Sequence, residues 1–340
     1  MRIRLADGDL VQIAFEGFGR PLRNAARINN EEPKLISVLA MKWNIMAKPH
    51  VALLGLGTMG AGMAGRLLSA GFPLSVYNRN AERAKPYAEL GASFASSPRE
   101  AASQAEVVIS MVADDVASRE VWLGTNGALA GAKSGAVLIE SSTLSVSWIK
   151  ELATSASRAN CELLDAPVTG TKPHAESGQL LFLVGGSAKT LERVRPVLSI
   201  LGRDAIHLGP TGSGALMKLI NNFLAAVQAV SFGEALSLIE AGGLDRAKTT
   251  SILTEGAPGS AILKRVAERV ASGDFTPHFH LSLMAKDVSY AIEEGRCRQV
   301  NMQTAAAALT AFKQAIANGL GEKDFTAVVQ AIDNPPAKSA

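Results

Sequence analysis

The chain has 340 residues, 47% hydrophobic and 19% charged, which is enough apolar material for two ordinary domains and too much for a disordered polar chain. Its formal charge of +3 is too small to argue for nucleic-acid or membrane binding. Residues 1–48 carry eight Lys/Arg against five Asp/Glu, so the surplus lies in that segment and the remainder is neutral. The two cysteines, Cys161 and Cys297, fall in no C-x-x-C or Cys/His ligand spacing, which argues against a disulfide framework and a structural zinc.

In chain order, residues 1–48 have no signal-peptide core and contain Asp7, Asp9, Glu16, Glu31 and Glu32, unlike a transit peptide. A cytoplasmic location is therefore expected. A chain starting at Met46 would enter the first strand almost at once, so 1–48 reads as an extension outside the catalytic fold, and 1–45 as an upstream stretch that a start codon assigned too early would add. An intact mass matching a start at Met1 would overturn that reading.

His50–Gly57 (HVALLGLG) predicts a buried strand and a tight turn, and Thr58–Gly71 a helix with small residues packed on a sheet. Short apolar runs recur at Leu74–Tyr77, Val107–Val112, Ala136–Ile139 and Cys161–Leu164, with helical stretches between them. That alternation implies βαβ units and a parallel sheet. Leu180–Val184 and Ile206–Leu208 read as late strands of the same sheet, in mixed orientation. From Ala215 to Ala241 the chain predicts one long helix, followed by helices at Ala247–Thr254, Ala261–Ala271, Leu281–Glu294, Met302–Asn318 and Phe325–Ile332. No uninterrupted apolar stretch approaches the roughly 18–20 residues that span a bilayer. The expected fold is α/β: a Rossmann dinucleotide-binding domain over 49–209, an interdomain helix over 210–242, an all-α C-terminal domain over 243–332, and a tail over 333–340.

Four segments carry candidate chemistry. Gly55-Leu56-Gly57-Thr58-Met59-Gly60 follows a strand and opens a helix, the context in which a G-x-G-x-x-G turn admits a pyrophosphate. At the end of the second strand, where NAD enzymes place an acid, stand Asn78 and Arg79, with Arg83 one turn later. A guanidinium grips a 2′-phosphate that a carboxylate would repel, so NADP(H) is expected over NAD(H). The second segment, Asp165 to Thr171, follows a strand, and its hydroxyls and amides suit a carboxylate. On the long helix, Lys218 and Asn222 share a face amid Leu216, Met217, Leu219, Ile220 and Phe223, so a lysine there faces a cleft or snorkels to the surface. The fourth segment runs from Phe279 to Lys286-Asp287. The five histidines are scattered and His278-x-His280 lacks matching ligands, so no metal is expected.

GLGTMGAGMA at 55–64, DAPVTGTKPHAESGQL at 165–180, the G-x-x-x-K-x-x-N-N run at 214–222 and Lys286-Asp287 together resemble the β-hydroxyacid dehydrogenase family. That family includes 3-hydroxyisobutyrate dehydrogenases, tartronate semialdehyde reductases and glyoxylate/succinic semialdehyde reductases. The resemblance covers residues 50–332 and implies a Rossmann domain, an interdomain helix, and a homodimer or homotetramer formed through the helical part. It also implies that Lys218 is the catalytic lysine, with Asn222 one turn on, and that Thr169-Gly170-Thr171 is the turn holding a substrate carboxylate. Thr143 then lies near the nicotinamide, Met111-Val112-Ala113 crosses the cofactor, and Lys286 borders it. Phe279 would form an apolar wall, and Asp287 would orient Lys286 or Lys218.

The chain departs from the family pattern at Thr169, where Ser is usual, and at Thr171, where Gly is frequent. G-T-K-P-x-A-E-x-G-x-L, Asn78-Arg79 and Phe279 resemble the glyoxylate/succinic semialdehyde reductase branch most. That branch implies NADPH-dependent reduction of a small carboxylate-bearing aldehyde or 2-oxo acid to the hydroxy acid, with Lys218 donating the proton. The runner-up is an NAD-dependent 3-hydroxyisobutyrate or tartronate semialdehyde enzyme, disfavoured by Asn78-Arg79. A decarboxylating 6-phosphogluconate enzyme would have a longer helical domain, and an imine reductase would lack the lysine. A non-catalytic NADP-binding protein is the most distant alternative.

Overall fold

A computed structural model describes residues 48–333. The expected extension before Lys48 and the tail after Asp333 lie outside the described residues. The first part of the chain runs β1 (Val51–Leu54), α1 (Thr58–Ser69), β2 (Leu74–Tyr77), α2 (Lys85–Glu89), β3 (Ser93–Phe94), α3 (Pro98–Ala102), β4 (Val107–Ser110), α4 (Asp115–Leu123), β5 (Val137–Glu140), α5 (Val146–Arg158) and β6 (Glu162–Asp165). It continues with β7 (Val168–Thr169), α6 (Lys172–Ser177), β8 (Leu180–Gly185), α7 (Ala188–Leu201) and β9 (Gly202–Gly209). The strand order is β3-β2-β1-β4-β5-β6-β8-β7, with β9 also pairing β8.

The first six strands in that order pair in parallel. β8 then turns antiparallel to β6 and β7 while β9 runs parallel to β8, so the late strands are mixed, as the sequence implied. The two-residue strands β3 and β7 carry no apolar run and were not foreseen. The order reverses between β1 and β4, and such a switch point opens a crevice at the strand C-termini.

Strands β1, β4 and β5 are apolar over VALL, VVI and VLI because both faces are covered. Val51, Leu53, Ile109, Val137 and Ile139 face one core with Met63, Leu67, Val194 and Leu198. Ala52, Leu54, Val108 and Leu138 face the other, with Trp122, Leu144, Trp148 and Leu152. A one-residue slip would turn each set onto the wrong face.

The second part opens with α8 (Ser213–Ala241), 29 residues long, and continues with α9 (Arg246–Glu255), α10 (Ala261–Ser272), α11 (Leu281–Cys297), α12 (Gln303–Ala317) and α13 (Val328–Asp333). Ala226, Phe232 and Leu236 of α8 share a third core with Val266, Met284, Val288, Phe312 and Val329. The helix is held at the sheet by Asp165. Its buried carboxylate accepts N–H bonds from Gly212 at 2.8 Å and Ala215 at 2.9 Å. Burial pushes the Asp165 carboxyl up, and those amide bonds oppose the rise. Gly214 is needed for the approach, since a Cβ there would stand 2.1 Å from the Leu183 carbonyl oxygen.

By length and composition α8 is apolar enough to cross a membrane, with a mean hydropathy of 1.4 over its best window. The sequence reading, which looked for an unbroken apolar run, passed over it. Its apolar residues are divided between the sheet-side core and the helical core, and Lys218, Asn222 and Glu234 interrupt it.

Candidate active site

The glycine turn shows three different uses of a missing side chain. Gly55 has φ +103°, and a Cβ on it would stand 2.3 Å from the Met111 carbonyl oxygen. A Cβ on Gly60 would stand 2.0 Å from the Gly55 carbonyl oxygen, so this glycine lets α1 pack against the turn. A Cβ on Gly57 would meet nothing within 4 Å. No side chain caps the start of α1 at Gly57, which leaves first-turn N–H groups facing that open space. The combination fits a dinucleotide diphosphate.

The turn is tied to the end of β2. The Gly55 N–H donates to the Tyr77 carbonyl at 2.8 Å, and the buried Leu56 donates its N–H to Asn78 Oδ1 at 2.9 Å. Asn78 Nδ2 donates to the Asn80 carbonyl at 2.8 Å. Asn78 thus braces the glycine turn, a role its position alone did not show. Thr58 is exposed and Met59 packs against the first core. Arg79 and Arg83 are exposed, and neither pairs with an acid among the described residues.

The loop after β4 lies against the turn. The Met111 N–H donates to the Leu54 carbonyl at 2.9 Å, the Val112 N–H donates to Ser142 Oγ at 2.8 Å, and Ala113 is exposed. Thr143 follows Ser142, and its carbonyl accepts from Lys286 Nζ on α11 at 2.6 Å. This chain of contacts joins residues 231 positions apart in sequence, from Gly55 to Lys286.

The candidate reactive groups meet where α8 packs on α11. Asn222 is buried; its Nδ2 donates to Asp287 Oδ2 at 2.6 Å, while its Oδ1 accepts from Asn221 Nδ2 at 2.9 Å. Asp287 is 1% exposed, so it belongs to the wall behind the lysine rather than to its open face. Lys286 Nζ lies 2.8 Å from Asp287 Oδ1 but out of line for a hydrogen bond, and that oxygen has no hydrogen-bond partner. Lys286 also sits over the Tyr290 ring, 4.7 Å from its centroid.

Lys218 lies one turn before Asn222, half-buried, and its Nζ makes no hydrogen bond or ion pair with a described residue. Burial pushes its ammonium down to about 8; the Asp287 charge pulls the other way, and Lys286 adds to the fall. A lysine that loses its proton near neutrality suits proton transfer to or from an oxygen.

The substrate-side residues are braced elsewhere. Thr169 ends β7 and pairs Leu181, Gly170 has φ +128°, and the Thr171 N–H donates to His174 Nδ1 at 3.2 Å. Phe279 packs on Phe325, with ring centroids 6.2 Å apart. Its segment is fixed by Asp324, whose buried carboxylate accepts the His278 and Phe279 N–H groups and lies 3.4 Å from Arg269. No hydrogen bond or ion pair among the described residues joins the 169–171 turn or Phe279 to Lys218 or Asn222. Sequence reasoning missed Asp165, Asp324 and Glu140, acids that hold backbone in place. Each terminates or flanks an element, and nothing in the sequence reports what they bind.

Similarity to known proteins agrees with this arrangement. Residues 50–209 match the NAD binding domain of 6-phosphogluconate dehydrogenase, and residues 212–332 match the NAD-binding domain of NADP-dependent 3-hydroxyisobutyrate dehydrogenase. The chain is 32% identical to glyoxylate/succinic semialdehyde reductase 2 of Arabidopsis thaliana, over 85% of its own length and 81% of that protein. It is 34% identical to the NAD-dependent L-serine dehydrogenase of Pseudomonas aeruginosa, over 84% of its length and 98% of the relative. Among solved structures, a Mycobacterium tuberculosis 3-hydroxyisobutyrate dehydrogenase with L-serine superposes with a TM-score of 0.78 at 30% identity, covering 84% of this chain and all of that one.

Proposed function

Since the chain belongs to the β-hydroxyacid dehydrogenase family, a group of NAD(P)-dependent oxidoreductases that act on CH–OH groups, we propose that it uses NADPH to reduce a small semialdehyde or 2-oxo acid, such as succinic semialdehyde or glyoxylate, to the hydroxy acid. The observation that carries the reading is Lys218, a half-buried lysine with a free Nζ and a lowered affinity for its proton, backed by Asn222 and Asp287. The cofactor, when bound, supplies the hydride. As negative charge grows on the carbonyl oxygen, the Lys218 ammonium faces it and then gives up its proton there, a contribution of a few kcal/mol from one charged donor. Asn222 is fixed by Asp287 and holds the lysine side of the cleft. The 169–171 turn, with a left-handed glycine between two threonines, offers hydroxyls and amides to the substrate carboxylate.

Preference for NADP(H) is supported by Arg79 and Arg83, two exposed guanidinium groups without acidic partners among the described residues, and by an asparagine in place of an acid at residue 78. The exposed apolar residues Met217, Leu224 and Leu238 along α8 support assembly as a homodimer or homotetramer through the helical part. A second reading, oxidation of a 3-hydroxy acid with NAD, is favoured by the L-serine named for two of the compared proteins.

A substrate panel with both cofactors tests the choice. Succinic semialdehyde and glyoxylate should oxidise NADPH faster than L-serine or 3-hydroxyisobutyrate reduces NAD. Arg79→Asp should cut kcat/KM for NADPH by about tenfold or more relative to NADH, as expected for loss of a charge-assisted phosphate contact and gain of a repulsion. An unchanged cofactor ratio would refute the 2′-phosphate role.

A further inference from the structure

The last residue of β5 is a carboxylate that the proposed mechanism does not use. Glu140 is wholly buried and has no ion-pair partner among the described residues. Every group around it is a donor. Ser118 Oγ and Trp122 Nε1, one turn apart on α4, both donate to Oε2 at 2.7 Å, and the Ser142 N–H donates to Oε1 at 2.9 Å. Ser118 Oγ in turn accepts from Trp148 Nε1 on α5 at 2.9 Å. Burial pushes the carboxyl up, and these bonds push it down. An uncompensated carboxylate in a core costs more than an apolar residue of the same shape, so its presence needs a reason beyond packing.

The reason lies in where its second oxygen points. Oε1 holds the backbone of Ser142, and Ser142 Oγ accepts the Val112 N–H. The next residue is Thr143, whose carbonyl is the anchor for Lys286 of α11. One carboxylate thus sets the position of both loops that border the cofactor site after β4 and β5, and through Thr143 the seating of Lys286 beside Asp287. We propose that Glu140 is a positioning residue, holding loops 111–113 and 141–143 in register with the glycine turn for the reaction. The proposal rests on the nicotinamide-dependent reading above.

Replacement by glutamine would set these donors against one another. Trp122 can only donate, so the amide oxygen must take the Oε2 place, and the amide N–H₂ then faces the Ser142 N–H. The misfit falls on loop 141–143 rather than on α4. Ser142→Ala is the complementary change: it removes the link to Val112 and the hydroxyl's own contact with Glu140, and leaves the bonds of Glu140 to the Ser142 N–H, Ser118 and Trp122, and that of Ser118 to Trp148.

Both full-length variants are to be compared with the native chain in three measurements: NADPH Kd by fluorescence titration, kcat and substrate KM with succinic semialdehyde, and Tm. For Glu140→Gln the expectation is a kcat about 10–100-fold lower with substrate KM within about twofold, as displacement of a reacting pair predicts, and a raised NADPH Kd. Ser142→Ala should shift kcat and NADPH Kd in the same direction, by less, with a native Tm. A lowered Tm with native kcat and native NADPH Kd in Glu140→Gln would overturn the proposal and leave Glu140 a core strut. If Glu140→Gln does not fold, Ser142→Ala decides: native values of kcat and Kd overturn the proposal, shifted values at unchanged Tm support it. A native chain that binds neither NADPH nor NADH would overturn the underlying reading and this one with it. Native binding with unshifted variants would overturn this one alone.

Discussion

The glycine turn and the α8–α11 contact solve different problems with different parts of the chain. At the turn, recognition is done by backbone: Gly55 and Gly60 remove atoms that would collide with carbonyls 2.3 and 2.0 Å away, and Gly57 leaves an open approach to the first amides of α1. At the α8–α11 contact the proposed chemistry falls to side chains, with Lys218 and Asn222 set against Lys286 and Asp287, 64 or more residues later in the sequence. A backbone site depends on local geometry and tolerates few substitutions. A side-chain site depends on two helices meeting and tolerates none at the reacting atom. The two regions should therefore fail in different ways when altered.

The largest effect is expected at the side-chain site. Lys218→Ala removes the only proposed donor to the developing oxyanion, and kcat should fall by about 10²–10⁴-fold. NADPH binding, which rests on the other region, should stay within about threefold of native by fluorescence titration, since sites without shared partners vary independently. A variant that turned over at a native kcat would remove Lys218 from the chemistry. One that also lost NADPH affinity would show that the two regions are not separable.

Within the backbone site the three glycines can be separated from each other. Gly60→Ala places a Cβ 2.0 Å from a carbonyl oxygen that belongs to the adjoining turn, so α1 must move. Its Tm should fall together with cofactor affinity, with about 1–3 kcal/mol lost as in other overpacked positions. Gly57 has φ −73°, which alanine adopts freely, and space for the methyl group. Gly57→Ala should thus keep a native Tm while raising NADPH Kd about tenfold, the effect of a methyl group standing where the diphosphate approaches. Equal losses of Tm in both variants would contradict the division of labour among these residues.

This contrast also explains what could be read in advance. The G-x-G-x-x-G turn was legible because its requirement is local: a strand, a sharp turn and a helix start within ten residues, each with a pattern of its own. The parallel strands were legible because burial on two faces forces short apolar runs, as in VALL and the VVI of VVIS. The pairing of Lys218 with Asn222 followed from helical spacing, and their importance came from a resemblance to known enzymes. What stayed hidden was the work done by buried acids. Asp165 seats the start of α8 and Asp324 fixes the Phe279 segment, each by accepting N–H bonds from residues distant in sequence, and Glu140 ties the N–H of Ser142, two residues on, to the side chains of Ser118 and Trp122 on α4. A carboxylate accepting backbone N–H groups leaves no periodicity, and its partners are known only once the chain has folded. The short strands β3 and β7 escaped for a related reason, since SF and VT owe their conformation to their neighbours in the sheet.

The smallest expected effect tests whether the side-chain site behaves as one electrostatic unit. The fall of Lys218 to about 8 is a balance in which burial wins over the attraction of Asp287. In the proposed carbonyl reduction the protonated lysine would be the active form, so kcat/KM should be level below pH 7 and decline as pH rises through about 8. Asp287→Asn removes the charge that favours the ammonium while an amide oxygen still accepts from Asn222 Nδ2. Protonation of Lys218 then becomes harder, and the alkaline limb of the profile should move to lower pH by about one unit, the size of shift a single nearby charge produces. The direction is the decisive part. A limb that moved to higher pH would mean that Asp287 does not act on Lys218 through its charge. A limb that stayed in place, with kcat lowered uniformly at all pH values, would reduce Asp287 to a holder of Asn222. In hydroxy-acid oxidation, where the neutral lysine would be the base, the same titration should appear as a rising limb that Asp287→Asn also moves to lower pH, and that inversion would identify the titrating group as the one that gives and takes the substrate proton.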